Sequence, residues 1–221
     1  MERERLDREI IAMRVARELR DGDVVNLGIG IPTLCSQFIP EGRSVTYHSE
    51  SGVLGYGPMA EPGEEDVDLI NAGGQFLAMN PGMSFFNSVE GFAMIRGGHI
   101  DVAVLGAMQV SERGDLANWM LPQRGVGNVG GAMDLAAGAR RIIVAMEHTD
   151  RSGSPKIVTE CSFPLTATRC VSLIVTDIAV IAVEDDGLTL TEVAPGWTAD
   201  DIQALTEPRL TISPNLKDME L

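Results

Sequence analysis

Basic residues are scarce in this chain: 17 lysines and arginines stand against 32 aspartates and glutamates, a formal net charge of -15 over 221 residues. That balance argues against a nucleic-acid partner, because neutralising a phosphate backbone needs clustered cations. Cysteine is scarcer still. Cys35, Cys161 and Cys170 show no CxxC spacing and form an odd set, so they suggest neither a zinc site nor a disulfide framework. They read as small buried hydrophobes. No apolar run approaches the length of a membrane span, and the stretch from Met1 to Arg20 is charged throughout, without the apolar core of a secretory signal. A reducing cytoplasm is the expected setting.

What remains is a globular composition: 44% apolar and 22% charged residues, with 24 glycines that promise many tight turns. The length suits one large domain, 1–221, with a fully buried sheet. No repeat, linker or low-complexity segment divides it. Leu6, Ile10, Met13 and Leu19 fall on one face at helical spacing, so the first 20 residues read as an amphipathic helix. After it, apolar strands alternate with glycine turns and helices. Val24 to Leu27 is a strand running into Gly28-Ile29-Gly30, and Pro32 suits the first turn of a helix. Val45 to His48 is a strand, Phe85 to Ile95 is helix-like, and Asp101 to Leu105 is a buried strand. Gly130-Gly131 leads into a helix through Ala132 to Ala139, followed by a strand over Ile142 to Met146. This rhythm implies an α/β fold, an open and mostly parallel sheet flanked by helices. Beyond Cys170 the spacing tightens. Leu173 to Val175, Ile178 to Val183 and Leu188 to Val193 leave no room for helices and read as closing strands, partly antiparallel. Thr198 caps a last helix, Ala199 to Leu205, and the tail from Pro208 reads as a loosely held end.

Chemistry concentrates at Ser49-Glu50-Ser51-Gly52, where a strand ends. Open α/β sheets gather ligands at the carboxyl ends of their strands. A lone glutamate beside glycines is more often a solvated turn residue, so position does not settle its role. Gly28-Ile29-Gly30 is not a dinucleotide fingerprint: Thr33 stands where the third glycine belongs, and no acidic residue follows at the required distance. His48, His99 and His148 are scattered and read as structural, as do Arg96 and Trp119.

Seven blocks carry a resemblance in order along nearly the whole chain. They are Val25-Asn26-Leu27-Gly28-Ile29-Gly30-Ile31-Pro32, Ser49-Glu50-Ser51-Gly52, Leu69-Ile70-Asn71-Ala72-Gly73, Phe92-Ala93-Met94-Ile95-Arg96-Gly97-Gly98-His99, Leu105-Gly106-Ala107-Met108-Gln109-Val110, Gly114-Asp115-Leu116-Ala117-Asn118-Trp119 and Gly130-Gly131-Ala132-Met133-Asp134-Leu135. Together they resemble the β subunit of the family I 3-oxoacid CoA-transferases.

The resemblance implies a CoA-transferase fold and a ping-pong reaction in which CoA passes from an acyl-CoA, succinyl-CoA by preference, to a 3-oxo acid such as acetoacetate or 3-oxoadipate. Glu50 would be the nucleophile, holding CoA as a glutamyl thioester. A carboxylate fits this chemistry, since the product must be another activated carboxyl group, and no metal, cofactor or general base is needed. The family's oxyanion donors match the side-chain amide of Asn26 and the backbone N–H of Gly131. Both positions suit that role on their own, one at a strand end beside glycines and one at the start of a helix. Gly28, Gly30, Ser51, Gly52, Gly74 and Gly130 would frame the substrate and CoA pocket. The family also works with an α subunit, so an α/β heteromer, often doubled to α2β2, is expected. Such a partner answers how so acidic a chain could serve polyanionic CoA. Three positions depart from the family pattern: Ser51 replaces an asparagine, Gly74 a lysine, and Gln123-Arg124-Gly125-Val126-Gly127-Asn128 a more basic stretch. They bear on substrate choice. Two other readings stay open, a sugar-phosphate isomerase-like enzyme with Glu50 as base, and a catalytically silent or regulatory subunit.

Overall fold

Residues 3–125 and 127–220 are described in the computed structural model. In chain order the elements are α1 (Arg8–Ala16), β1 (Val24–Leu27), α2 (Ile31–Leu34), β2 (Thr46–Ser49), β3 (Val53–Leu54), β4 (Ser84–Phe85), α3 (Ser88–Arg96), β5 (Val102–Leu105), β6 (Gln109–Ser111), β7 (Leu116–Ala117), α4 (Ala132–Gly138), β8 (Arg141–Ala145), β9 (Ile157–Val158), β10 (Val171–Val175), β11 (Ala179–Glu184), β12 (Gly187–Val193), α5 (Ala199–Ala204) and β13 (Leu210–Asp218). One ten-stranded sheet takes the order β13-β12-β11-β10-β8-β5-β1-β2-β3-β4. Its centre, β10 through β2, is wholly parallel. β11 and β12 close one side antiparallel, and β3 and β4 do the same on the other. A smaller sheet, β7-β6-β9, lies apart and has no counterpart in the sequence reading.

Strand alternation divides the core into two layers. Val25, Leu27, Val102, Val104, Ile143 and Ala145 turn to the face covered by α1. Ala103, Leu105, Ile142, Val144 and Ile174 turn to the opposite face, where Ile95 of α3, Leu135 of α4 and Ile202 of α5 cover them. Burial on both faces is what lets the central strands be continuous apolar runs.

Three expectations are corrected. The first helix starts only at Arg8, capped by Asp7, whose carboxylate accepts the Ile10 N–H at 3.0 Å. Its buried face holds Ile11, Ala12, Val15 and Ala16, one position round from the expected stripe, because Arg14 is also buried there, paired with Glu192. Phe85 belongs to β4, and α3 begins after a capping box of Asn87 and Glu90. The tail is an edge strand: β13 pairs parallel to β12 after the α5 crossover, with Leu210 and Met219 buried. Val126, within the altered stretch 123–128, lies outside the described residues.

Candidate active site

The parallel centre brings the carboxyl ends of β1, β2 and β5 to one edge. Glu50 is the first residue beyond β2 and is half-buried. Asn26 stands between Val25 and Leu27, which turn into the α1 face, so its amide projects to the other side. The β1–β2 register sets Asn26 beside His48. Asn26 Nδ2 donates to Glu50 Oε2 at 3.0 Å and to His48 Nδ1 at 3.1 Å. A carboxylate only accepts, so the amide must turn its NH2 toward Glu50, and the second hydrogen then requires a lone pair on His48 Nδ1.

The bend that presents Glu50 depends on Gly52. It adopts φ +124°, and a β-carbon there would stand 2.2 Å from the Phe86 carbonyl oxygen. Gly52 N–H donates to Ser49 O at 3.0 Å, and Gly52 O accepts Phe86 N–H at 3.0 Å, so both sides of the turn are tied down. The Ser49 and Ser51 hydroxyls meet at 2.8 Å across its flank. Two other glycines make room for Glu50 itself. At Gly91, which brings α3 against the turn, a β-carbon would lie 3.2 Å from the Glu50 carbonyl oxygen; at Gly131, the N-cap of α4, it would lie 3.1 Å from Glu50 Oε1.

These groups open on a cavity of about 470 Å³. Asn26, Gly28, Glu50, Gly130 and Gly131 line it, together with Asn118 and an apolar wall that includes Leu105, Met108 and Val129. Of the other expected pocket residues, Gly30 caps α2 in open space, Gly74 forms an exposed turn tip beside the lining residue Ala72, and Ser51 and Gly52 shape the bend without lining the cavity. Glu50 is the one charged residue among the described lining residues. Among the described residues no lysine or arginine pairs with its carboxylate, which leaves the oxygens available to a carbonyl carbon.

Sequence reasoning passed over His48 as structural. It is 1% exposed and stacks on Phe86 with ring centroids 5.6 Å apart. Burial pushes its pKa below the ordinary histidine value, against the opposing pull of Glu50 and the Gly91 backbone, so the ring is neutral at neutral pH. Asn118 was also passed over as an individual residue; its amide donates to Gly106 O at 3.1 Å and accepts from Thr166 Oγ1 at 2.7 Å, which holds the loop beyond β5 against the cavity. Gly91 had a legible signal, a glycine in the first turn of a well-capped helix. Among the described residues no group of three or more His, Cys, Asp or Glu side chains could hold a metal ion, and no helix is long and apolar enough to cross a membrane.

Residues 8–205 match the family described as Coenzyme A transferase. The chain is 49% identical over 208 residues to the acetate CoA-transferase subunit beta of Escherichia coli (strain K12), covering 93% of this chain and 94% of that protein. It is 50% identical over 212 residues to succinyl-CoA:3-ketoacid coenzyme A transferase 2B, mitochondrial, of Mus musculus, covering 95% of this chain but 41% of that longer protein. An acyl-CoA transferase of Escherichia coli O157:H7, solved as a thioester complex with CoA, superposes with a TM-score of 0.75 at 22% identity, over 100% of this chain and 44% of that one. The α/β architecture with its mostly parallel sheet is therefore one that CoA-transferases use. The chain belongs to the coenzyme A transferase family.

Proposed function

We propose that the chain is the β subunit of a two-subunit enzyme that moves CoA from an acyl-CoA, with succinyl-CoA the favoured donor, to a 3-oxo acid. One observation carries the reading: a carboxylate with no cationic partner among the described residues faces a cavity at the strand ends, 3.0 Å from an amide donor. In the first half-reaction a Glu50 oxygen attacks the thioester carbonyl carbon, the carbon–sulfur bond breaks, and the CoA thiolate leaves a mixed anhydride. The thiolate then attacks Glu50 Cδ, the donor acid departs as carboxylate, and CoA remains on Glu50 as a thioester. An incoming 3-oxo acid runs the two steps backwards. Each attack builds an oxyanion, for which Asn26 Nδ2 and the Gly131 N–H are the donors; such a donor contributes about 3 kcal/mol in a water-excluded site. Gly28 and Gly130 leave the acyl group room beside them. No cofactor enters, since CoA is itself substrate.

An α subunit completes this enzyme, as the names of the subunit-type relatives suggest, in an α2β2 assembly of the cytoplasm. It supplies the cations for CoA that this cavity lacks. The same lack weighs against a sugar-phosphate substrate, whose phosphate would need them. The test is to assemble the chain with its α subunit, add acyl-CoA without acceptor, and search the Glu50 peptide by mass spectrometry. The expected result is a CoA adduct that Glu50→Gln abolishes, with the rate of CoA exchange falling by at least about a thousandfold. Exchange at the wild-type rate by the Glu50→Gln assembly would sink the proposal.

A further inference from the structure

We infer that His48 is a positioning residue: its Nδ1 lone pair fixes the orientation of the Asn26 amide, and so keeps the donor aimed at the Glu50 carboxyl through both halves of the reaction. The inference rests on the reading of Glu50 as the CoA carrier and adds to it a residue that touches no substrate.

Three observations carry it. Asn26 Nδ2 is shared between Glu50 Oε2 and His48 Nδ1, at 3.0 and 3.1 Å, so the two acceptors jointly hold the amide. Among the described residues, buried His48 Nε2 makes no hydrogen bond of good geometry, although the Gly91 backbone is close enough to act on the ring. The nitrogen committed to Asn26 must carry a lone pair, which places the proton of the neutral ring on Nε2. The ring is also held in place, 1% exposed and stacked on Phe86. Asn26 comes from β1, Phe86 from the segment before α3, and the Gly91 backbone from α3 itself; Glu50 is the charge that acts on the ring, and burial outweighs it to keep the imidazole neutral.

The chemistry gives this anchor its purpose. While Glu50 is a carboxylate, its charge helps His48 to orient the amide. Once Glu50 carries CoA as a neutral thioester, that pull is gone, and an amide free to rotate could present Oδ1 to the carbonyl and repel the developing oxyanion. Only His48 Nδ1 is unchanged across the cycle. Its loss should therefore slow the attack of the acceptor acid on the glutamyl-CoA more than the formation of that intermediate.

The experiment compares the α/β assembly carrying wild-type chain, His48→Phe and His48→Asn. Phenylalanine keeps the ring and its stacking without the acceptor, whereas asparagine brings an oxygen near the place of Nδ1. We expect kcat to fall about tenfold to a hundredfold in His48→Phe with KM within about twofold. Decay of preformed glutamyl-CoA on adding acceptor should slow by a similar factor, and His48→Asn should recover most of the rate. Nitrogen-15 histidine NMR, with the His48 signal assigned by its absence from His48→Asn, should show protonated Nε2 and bare Nδ1. Unchanged kcat in His48→Phe, equal losses in both variants, or a proton on Nδ1 would each overturn the inference. Absence of a CoA adduct from the wild-type assembly would instead count against Glu50, and the NMR reading would stand apart from that failure.

Discussion

Two buried histidines, His48 within β2 and His148 just beyond β8, are handled in opposite ways. His148 is fully satisfied: Nδ1 meets Thr176 Oγ1 at 3.0 Å, Nε2 meets Thr206 Oγ1 at 2.9 Å, and its backbone N–H donates to Asp177 Oδ1 at 2.7 Å. In His48 only Nδ1 is firmly engaged, by Asn26; among the described residues Nε2 makes no hydrogen bond of good geometry. The neighbouring charges repeat the contrast. On the α1 face Arg14 forks onto Glu192 at 2.7 and 2.8 Å and reaches Glu18 at 2.9 Å, while Arg141 closes on the other Glu18 oxygen at 2.6 Å. Glu50 has an amide and a cavity. His148 and the Arg14 cluster have their partners within the fold; Glu50 at the strand ends is left open, as a site for chemistry requires.

The sharpest way to break this contrast is to open the closed cluster. Arg14 and Glu192 have side chains only 7% and 6% exposed. Arg14→Met strands the Glu192 carboxylate in the core, with Lys217 3.7 Å away. Breaking one side of a buried pair costs about 3–5 kcal/mol. For a chain of this size that is a drop in Tm on the order of 10 °C, read by thermal or urea unfolding. Arg14→Met with Glu192→Leu should recover much of the loss, because no orphaned charge remains. A single variant as stable as wild type would show that the cluster is not the clasp it looks like.

The open site should respond the other way, losing rate and keeping stability. Gly131 has φ -87°, so alanine suits its backbone, and what glycine provides there is space. The methyl of Gly131→Ala would press on the Glu50 carboxylate, 3.1 Å from Oε1 and 3.4 Å from Cδ. A displacement of about 1 Å from attack geometry can cost about a hundredfold, or about 2.7 kcal/mol in the barrier, and the smaller shift forced here should cost about tenfold. Steady-state kinetics of the α/β assembly should show that fall in kcat, with Tm within a few degrees of wild type. A loss of stability with kcat intact would place Gly131 with the packing residues.

The same division explains how much could be read in advance. β1, β5, β8 and the turn at Glu50 were legible because buried parallel strands are short apolar runs and glycine marks where they stop. β3, β4, β7 and β9 have two residues each, too few for any period to register. β13 was missed because an edge strand with one row of backbone groups facing solvent can be polar: Thr211, Ser213, Asn215 and Lys217 read as a tail, and Pro214 is tolerated there. The α1 stripe was misjudged because its buried arginine finds a partner 178 residues away. Asn26 and Glu50 stood out through the family pattern, but His48 could not. Its meaning lies in which of its nitrogens is bonded, and that depends on cross-strand register.

The least drastic probe of the contrast is acid. Burial, reinforced by Arg5 and Lys156 and opposed by Asp177, pushes His148 down to about 4. Its folded value is thus below the unfolded value of about 6.5, so the stabilisation is fully present above the unfolded value and is lost as pH falls from there toward the folded one. By pH 5 linkage removes about 2 kcal/mol, since the unfolded chain takes up a proton that the folded ring refuses. Urea unfolding at pH 7 and pH 5 measures this directly. His148→Gln, with hydrogen-bonding groups for the threonine hydroxyls but nothing to titrate in this range, should be less stable than wild type at pH 7 and should narrow the gap by roughly that amount at pH 5. Equal slopes for the two proteins would mean that the ring is charged in the fold already. The satisfied histidine would then be the adaptable one, and the division between closed and open polar clusters would fail at its simplest point.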